Sequence, residues 1–395
     1  MTQEKYTFAQ RFATWFGLAG LIFGAFCGGS TAAGAYATAY FACYGGGWMF
    51  AFILIYNVLL GLACGLGLHV VKSYNCKNYK EFYHALYGVQ GEDANPVVKK
   101  AVTLFFDAYT ILKGITSCAA AMALIGTLFN SMLGWDAKVG AFIGVIIFAI
   151  LTMYGGTFLR RFNSAITFGL LVSLLAILVA VFMHRGDVLT GLLFDFETGV
   201  DWTGATLSAG FAGVIAYCSN VTSWGGTLAS YSERIRDGKD VVGSGITIGL
   251  IVPTLFLLTS MIVLPYLPEE LHATPIINII TNHLQSPILL VVYYVVIVLS
   301  AISTGPAFTF SITDRFEKIW KNPNISVKTK NFVIAMVFLL ICWVFSNFGL
   351  MFLVKSVLGA TGTISIVAIL LPLFIAIPRI EKKKKLEKAA LEAGK

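Results

Sequence analysis

Between residues 101 and 129 the chain carries two charged side chains, Asp107 and Lys113, in an otherwise apolar run. Lys113 falls near the middle of that run. A cation at such a depth in a membrane helix costs at least about 2.5–3.5 kcal/mol to insert, and it should face the protein interior. Asp107 and Lys113 are six residues apart, on different faces of a helix, so they do not form an intrahelical pair. Tyr109 shares the Lys113 face at i, i+4. Three roles fit Lys113: an anchor for an anionic group of a solute, a charge or proton switch standing in for a cation, or a structural partner of a carboxylate or carbonyl.

Other polar groups sit in apolar runs. Ser300, Ser303 and Thr304 place three hydroxyls within one helical turn or so. By spacing alone, they bond back to carbonyls four residues earlier. Residues 24–34 combine Gly24, Gly28, Gly29 and Gly34 with Ser30 and Thr31. Glycine costs about 1 kcal/mol relative to alanine in a helix, so this stretch is a weak point. It also matches a small-residue packing surface through Gly24 and Gly28. Residues 216–226 include Tyr217, Cys218, Ser219, Asn220, Thr222, Ser223 and Trp224. Such a stretch is expensive in lipid unless it is buried or lines a cavity. Tyr36, Tyr40, Tyr217 and Trp224 bring aromatic rings near these stretches, for stacking on a solute or for packing.

The elements that must hold these groups follow from composition. The chain has 395 residues, 57% hydrophobic and 12% charged, with a mean hydropathy of +0.80. A soluble domain carries about 25% charged residues. This excludes a soluble enzyme, a nucleic-acid-binding protein and a secreted disulfide domain, and it leaves an all-α integral membrane protein. The seven cysteines are scattered singly, with no paired spacing for zinc or a disulfide framework. The apolar run after Arg11 is too long for a cleavable signal and reads as the first membrane helix.

Ten runs are long enough to cross about 30 Å of hydrocarbon. They are spans 1–10, at 12–43, 47–71, 98–129, 138–155, 163–183, 206–229, 241–265, 286–311, 331–347 and 349–378. Loops after even-numbered spans are basic, with Lys77, Lys80, Arg160, Arg161, Arg234, Arg236, Arg315 and Lys318. Loops after odd-numbered spans are mainly acidic, with Asp136, Asp187, Asp195, Glu197, Glu269 and Glu270. The positive-inside rule then puts both termini in the cytoplasm. The tail 379–395, with Lys382–Lys385, fits a surface of anionic lipid. Asn78 and Glu81 form a capping box that predicts a short helix after span 2. Thr274 and Pro275 predict an N-cap and a helix through Leu284, either a lid on the outer opening or a plain interfacial helix. The pairs His272/His283 and Glu269/Glu270 read as solvated surface.

Because five is odd, spans 1–5 (12–183) and 6–10 (206–378) have opposite orientation, and each half begins with an interrupted helix. Matching interruptions in two inverted halves point to the binding site of a secondary transporter. The expected fold is ten helices in a five-plus-five inverted repeat with spans 1 and 6 broken.

Gly28-Gly29-Ser30, Tyr40-Phe41 with Tyr44-Gly45, Phe106-Asp107, Tyr217 with Asn220, and Ser303-Thr304 resemble, in that order, the YkvI-like membrane proteins. These are a branch of the amino acid–polyamine–organocation superfamily. The resemblance runs over nearly the whole chain and implies the leucine-transporter fold. It also implies a sodium site made by the carbonyls of Gly24, Cys27 and Ser300 and the hydroxyls of Ser303 and Thr304. Where the branch carries a glutamate in span 1, this chain has Tyr36, so a role tied to that carboxylate does not transfer.

The reading that follows is a secondary active transporter, with no enzymatic activity, no cofactor and Na+ as coupling ion. Its partners are the lipid bilayer and a small polar solute, amino-acid-like or carboxylate-bearing. The candidate solute-binding residues are Gly28, Gly29, Ser30, Thr31, Tyr109, Lys113, Tyr217, Cys218, Ser219, Asn220 and Trp224. Half-helix N-termini in the breaks would favour an anionic group. The alternatives are a proton-coupled transporter or exchanger that uses Lys113 or Asp107, and a non-transporting nutrient or germinant receptor subunit of the same fold. Impermeant labels at Lys77, Arg160 and Lys382 are expected to react from the cytoplasm, and labels at Glu197 and Glu270 from outside. Reaction of both sets from one side would contradict the ten-span arrangement.

Overall fold

The computed structural model describes the chain except for residues 1–5, 27, 92–93, 154–155, 198–201, 203–205, 223–224, 273, 321–323 and 394–395. Among the described residues it contains helices and loops and no strand. Seven helices are long and apolar enough to cross a bilayer: Gly46–Tyr74, Pro96–Leu133, Phe168–Leu192, Gly238–Tyr266, Pro287–Glu317, Val327–Ser346 and Leu350–Lys383. They fall on spans 2, 3, 5, 7, 8, 9 and 10. Shorter apolar helices, Ala137–Thr152 and Leu207–Val221, fall on spans 4 and 6. Span 1 begins as the helix Phe8–Phe26.

Span 1 is short because its helix stops within the apolar run. The first helix ends at Phe26, and Gly28 is extended (φ −72°, ψ −177°) before a single turn over Gly29–Ala32. Gly34 then turns with φ +89°, and the chain continues as a π-helix, Ala37–Phe41. At Gly34 a Cβ would lie 2.7 Å from Pro275 Cγ, so only glycine suits both the turn and the contact. The second part of span 1 is therefore a turn and a π-helix where the sequence suggested a plain half-helix. In span 6 the described helices are Leu207–Thr222 and Gly225–Ala229, and the expected interruption between them falls on 223–224, outside the described residues.

The unbroken helices form two packed groups. Spans 2 and 7 join spans 1 and 6, and spans 3, 4, 8 and 9 pack on one another. Glycines set the spacing in the first group. A Cβ on Gly245 would come 2.8 Å from the Gly61 carbonyl oxygen, and one on Gly249 would come 2.6 Å from that of Asn57. This is close small-residue packing of the kind that replaces a hydrophobic drive in lipid. The turn after the span 1 break lies against spans 3 and 8, and span 6 meets span 3 where Lys113 bonds to the Asn220 carbonyl.

The connecting segments carry order of their own. Asn78 accepts the Glu81 amide at 3.0 Å and opens the helix Tyr79–Tyr87, while the Glu81 carboxylate accepts the Lys77 amide at 2.7 Å. This helix lies over the second part of span 6, where Gly225 leaves room for the Phe82 ring. Between spans 7 and 8, Pro275–Asn278 and the π-helix Ile279–Leu284 form the expected helix, but the Thr274 side chain makes no capping bond. Glu270 is not solvated surface. It is buried, accepts from Asn278 at 3.0 Å, and lies 3.3 Å from His283 Nε2. The C-terminal segment continues as a helix, Leu371–Ala393, in which Arg379 donates to the Leu86 carbonyl and Lys383 to that of Ser73.

At the basic end, Arg11 binds Asp237 at 2.7 Å and the fully buried Asp240 at 3.1 Å, and Trp15 donates to Asp240. The Arg11 hydrogen bond holds the Asp237 carboxyl well below the usual carboxylate range. Its stabilising contribution is present above the unfolded value of about 4 and is lost as pH falls through the depressed value. Asp237→Asn is expected to lower the melting temperature at neutral pH and to flatten its acid dependence. Parallel curves for parent and variant would show that the clasp contributes nothing.

Candidate functional site

A cavity of about 50 Å³ lies where the two breaks meet spans 3 and 8. Gly28, Ser30 and Thr31 line it from the span 1 break, with Tyr36 beyond them. Lys113, Ser117 and Ala120 come from span 3, and Tyr217, Asn220 and Val221 from span 6. Thr304, Phe308 and Leu358 complete the wall.

The lysine decides the character of this space. Lys113 is only 6% exposed, and its ammonium donates to the backbone carbonyl of Asn220. Asn220 lies in the last turn of Leu207–Thr222. The Tyr109 ring centroid lies 5.9 Å from the same ammonium. The Asn220 side-chain amide donates to the Leu358 carbonyl at 3.4 Å, tying span 6 to span 10.

Six of the expected solute-binding residues, Gly28, Ser30, Thr31, Lys113, Tyr217 and Asn220, line the cavity. Four others do not. Tyr109 points its hydroxyl at span 10, donating to the Thr361 carbonyl at 3.0 Å and contacting Ser365 Oγ. Gly29 packs on Leu124 and Ala301. Ser219 bonds to Ile215 O within its own helix at 2.8 Å, and Cys218 is buried away from the opening. Trp224 lies outside the described residues.

Of the expected sodium ligands, Cys27 and the Ser303 side chain lie outside the described residues. Thr304 Oγ1 donates to the Ser300 carbonyl at 2.9 Å. This is the local i−4 bond that spacing alone predicts. The same hydroxyl faces Gly28, where a Cβ would lie 2.5 Å from Thr304 Oγ1. The missing side chain thus leaves a cradle between the span 1 break and span 8. Hydroxyl and carbonyl oxygens are the donor type that suits a hard monovalent cation, and the Ser300 and Thr304 oxygens are of that type, bonded here to each other. Gly24 sits one turn earlier, in the last turn of Phe8–Phe26.

Two side-chain clusters lie toward the two ends of the cavity. Toward the acidic end, Tyr217 packs on Tyr36 and Tyr40, each with ring centroids 4.9 Å away, and on Tyr56 at 5.5 Å. The Tyr40 hydroxyl donates to the Val354 carbonyl at 2.8 Å. Toward the basic end, Asp107 accepts from the Tyr79 hydroxyl at 2.7 Å and is ion-paired to Arg315. This triad joins span 3, the helix Tyr79–Tyr87 and span 8. Burial, with the Asp107 hydrogen bond next, raises the Tyr79 phenol above its ordinary value, so it remains a donor at physiological pH.

Sequence reasoning passed over Ser117, Phe308 and Leu358. Ser117 and Phe308 each lie four residues beyond a residue already singled out, Lys113 and Thr304, on the same helical face. That periodicity is the signal that finds them. Leu358 follows the π-helix Leu353–Val357 in span 10, and no local pattern marks it.

No protein-family model matches the chain. No curated protein matches it in sequence. Solved structures do match in fold. A Na+-coupled sialic acid symporter in a substrate-bound outward-open state aligns with a TM-score of 0.56 and 14% identity, over 94% of this chain and 88% of that one. MhsT in complex with L-phenylalanine aligns at 0.58 and 15%, over 90% and 87%. Mhp1 in an inward-facing conformation aligns at 0.55 and 17%, over 88% and 75%. The chain has the leucine-transporter fold. The YkvI-like assignment finds no support beyond that fold.

Asp107→Asn removes the charge that joins Tyr79 to Arg315. A cysteine at Ser117, deep in the cavity, is then expected to react at least several-fold faster with a thiol reagent applied from the basic side. An unchanged rate would mean that the triad does not close that side.

Proposed function

We propose that this protein is a sodium-coupled secondary transporter of a small carboxylate-bearing solute, working by alternating access. The observation that carries this reading is a small cavity beside the span 1 break that holds one basic side chain, Lys113, bonded to the Asn220 carbonyl of span 6. Solute sites at such breaks are the recurring arrangement in secondary transporters. The fold shared with a Na+-coupled symporter supports ion coupling. The aromatic cluster and the Tyr79–Asp107–Arg315 triad act as the two closures. By the positive-inside rule the triad and both termini face the cytoplasm, and the aromatic cluster faces outside.

In this mechanism Lys113 exchanges part of its contact with the Asn220 carbonyl for the solute carboxylate. Sodium binds between the span 1 break and the Ser300–Thr304 turn, so that filling both sites draws spans 1 and 8 together. Alternate release of the aromatic cluster and the triad then exposes the cavity to one side at a time.

Uptake into proteoliposomes driven by an inward sodium gradient tests the reading. Thr304→Ala is expected to raise the sodium concentration for half-maximal uptake by about tenfold, the loss of roughly 1.4 kcal/mol of binding. Saturable uptake that is indifferent to sodium would remove the sodium site and move coupling to Lys113, whose ammonium already occupies a cation's place on the helix end. Lys113→Met is expected to weaken solute binding at least tenfold while the protein still folds. Unchanged affinity with a clear fall in melting temperature would make Lys113 a structural partner, because a buried polar group would then be left unpaired.

A further inference from the structure

We infer that the solute is a two- or three-carbon monocarboxylate without a compensating ammonium group, and not a zwitterionic amino acid. This rests on the transport site proposed above and concerns the class of molecule it selects.

The first argument is charge. Among the described residues lining the cavity, Lys113 is the single basic side chain and no carboxylate is present. The undescribed residues at the two breaks, Cys27, Ser223 and Trp224, are uncharged by type. The nearest acidic residue along span 3, Asp107, is six positions away, about 9 Å along the helix, and is engaged by Arg315 and Tyr79. A carboxylate entering the cavity neutralises Lys113. A zwitterion brings its own ammonium into the same small space, where it meets like charge and no counter-charge. Two like charges close together in a site of low dielectric repel far more strongly than in water.

The second argument is size. Space of about 50 Å³ accepts about three to five water-sized groups. That fits an acid of four to six non-hydrogen atoms and excludes a large side chain without rearrangement of the wall. The wall also includes Tyr36, Val221 and Phe308, which suit a short alkyl end. Ser30, Thr31 and Ser117 add hydroxyls that can donate to a carboxylate or exchange hydrogen bonds with a hydroxyl substituent.

L-Lactate and L-alanine form a matched pair, since one carries a hydroxyl where the other carries an ammonium. Binding of each to the full-length protein in nanodiscs, with sodium present, is expected to favour L-lactate by at least tenfold. Propionate should bind and propylamine should not. Lys113→Arg, which keeps the charge, should retain the preference, and Lys113→Met should abolish it. Equal or tighter binding of L-alanine would overturn the inference, as would binding only of solutes larger than about six non-hydrogen atoms. Either of those results would leave the transporter reading standing. Failure of a broad solute panel to give any uptake at all would instead contradict the transporter reading itself.

Discussion

A buried ammonium on a helix carbonyl organises this protein. Lys113 lies deep in a membrane helix, where an unpartnered charge is costly. It finds its partner in the backbone carbonyl of Asn220 in span 6. Neither feature is economical alone. A break in lipid exposes backbone polar groups, and a lysine in lipid exposes a charge. Placed together inside the protein, each satisfies the other. They do so in a small polar space that a solute can enter.

The rest of the architecture keeps that space in place. Close glycine packing between spans 2 and 7 holds one side of the broken helices, and the packed group of spans 3, 4, 8 and 9 holds the other. The closures differ in chemistry. Toward the acidic end, stacked tyrosines exclude water with few charges. Toward the basic end, an ion pair with a phenol donor joins three elements and can separate without leaving an unhydrated charge, because Asp107 and Arg315 are partly exposed. The helix Tyr79–Tyr87 belongs to this second closure, and Arg379 of the C-terminal helix caps it through the Leu86 carbonyl.

Much of this was legible in the sequence, for physical reasons. Hydropathy marks spans because lipid forces each backbone group into a helix. The break at Gly28 was legible because glycine weakens a helix. Lys113 stood out by the cost of a charge in lipid. What failed was side-chain direction. Tyr109 shares a helical face with Lys113, yet its hydroxyl reaches span 10, because Thr361 and Ser365 offer oxygens there. Ser219 lies in the polar stretch of span 6 but bonds within its own helix. Glu270 looked like a surface charge because its partners, Asn278 and His283, come from a helix further along the chain. Contacts between segments are set by tertiary packing, which a local pattern does not encode.

The most direct measurement is the distance between the lysine nitrogen and the bound solute. Dipolar recoupling by solid-state NMR between ¹⁵N-labelled Lys113 Nζ and a solute labelled with ¹³C at its carboxyl reads that distance in the membrane. A strong coupling, corresponding to a charge-assisted contact of about 3–4 Å between nitrogen and carboxyl carbon, is the predicted result. No measurable coupling at saturating solute, in a protein that still transports it, would contradict the account.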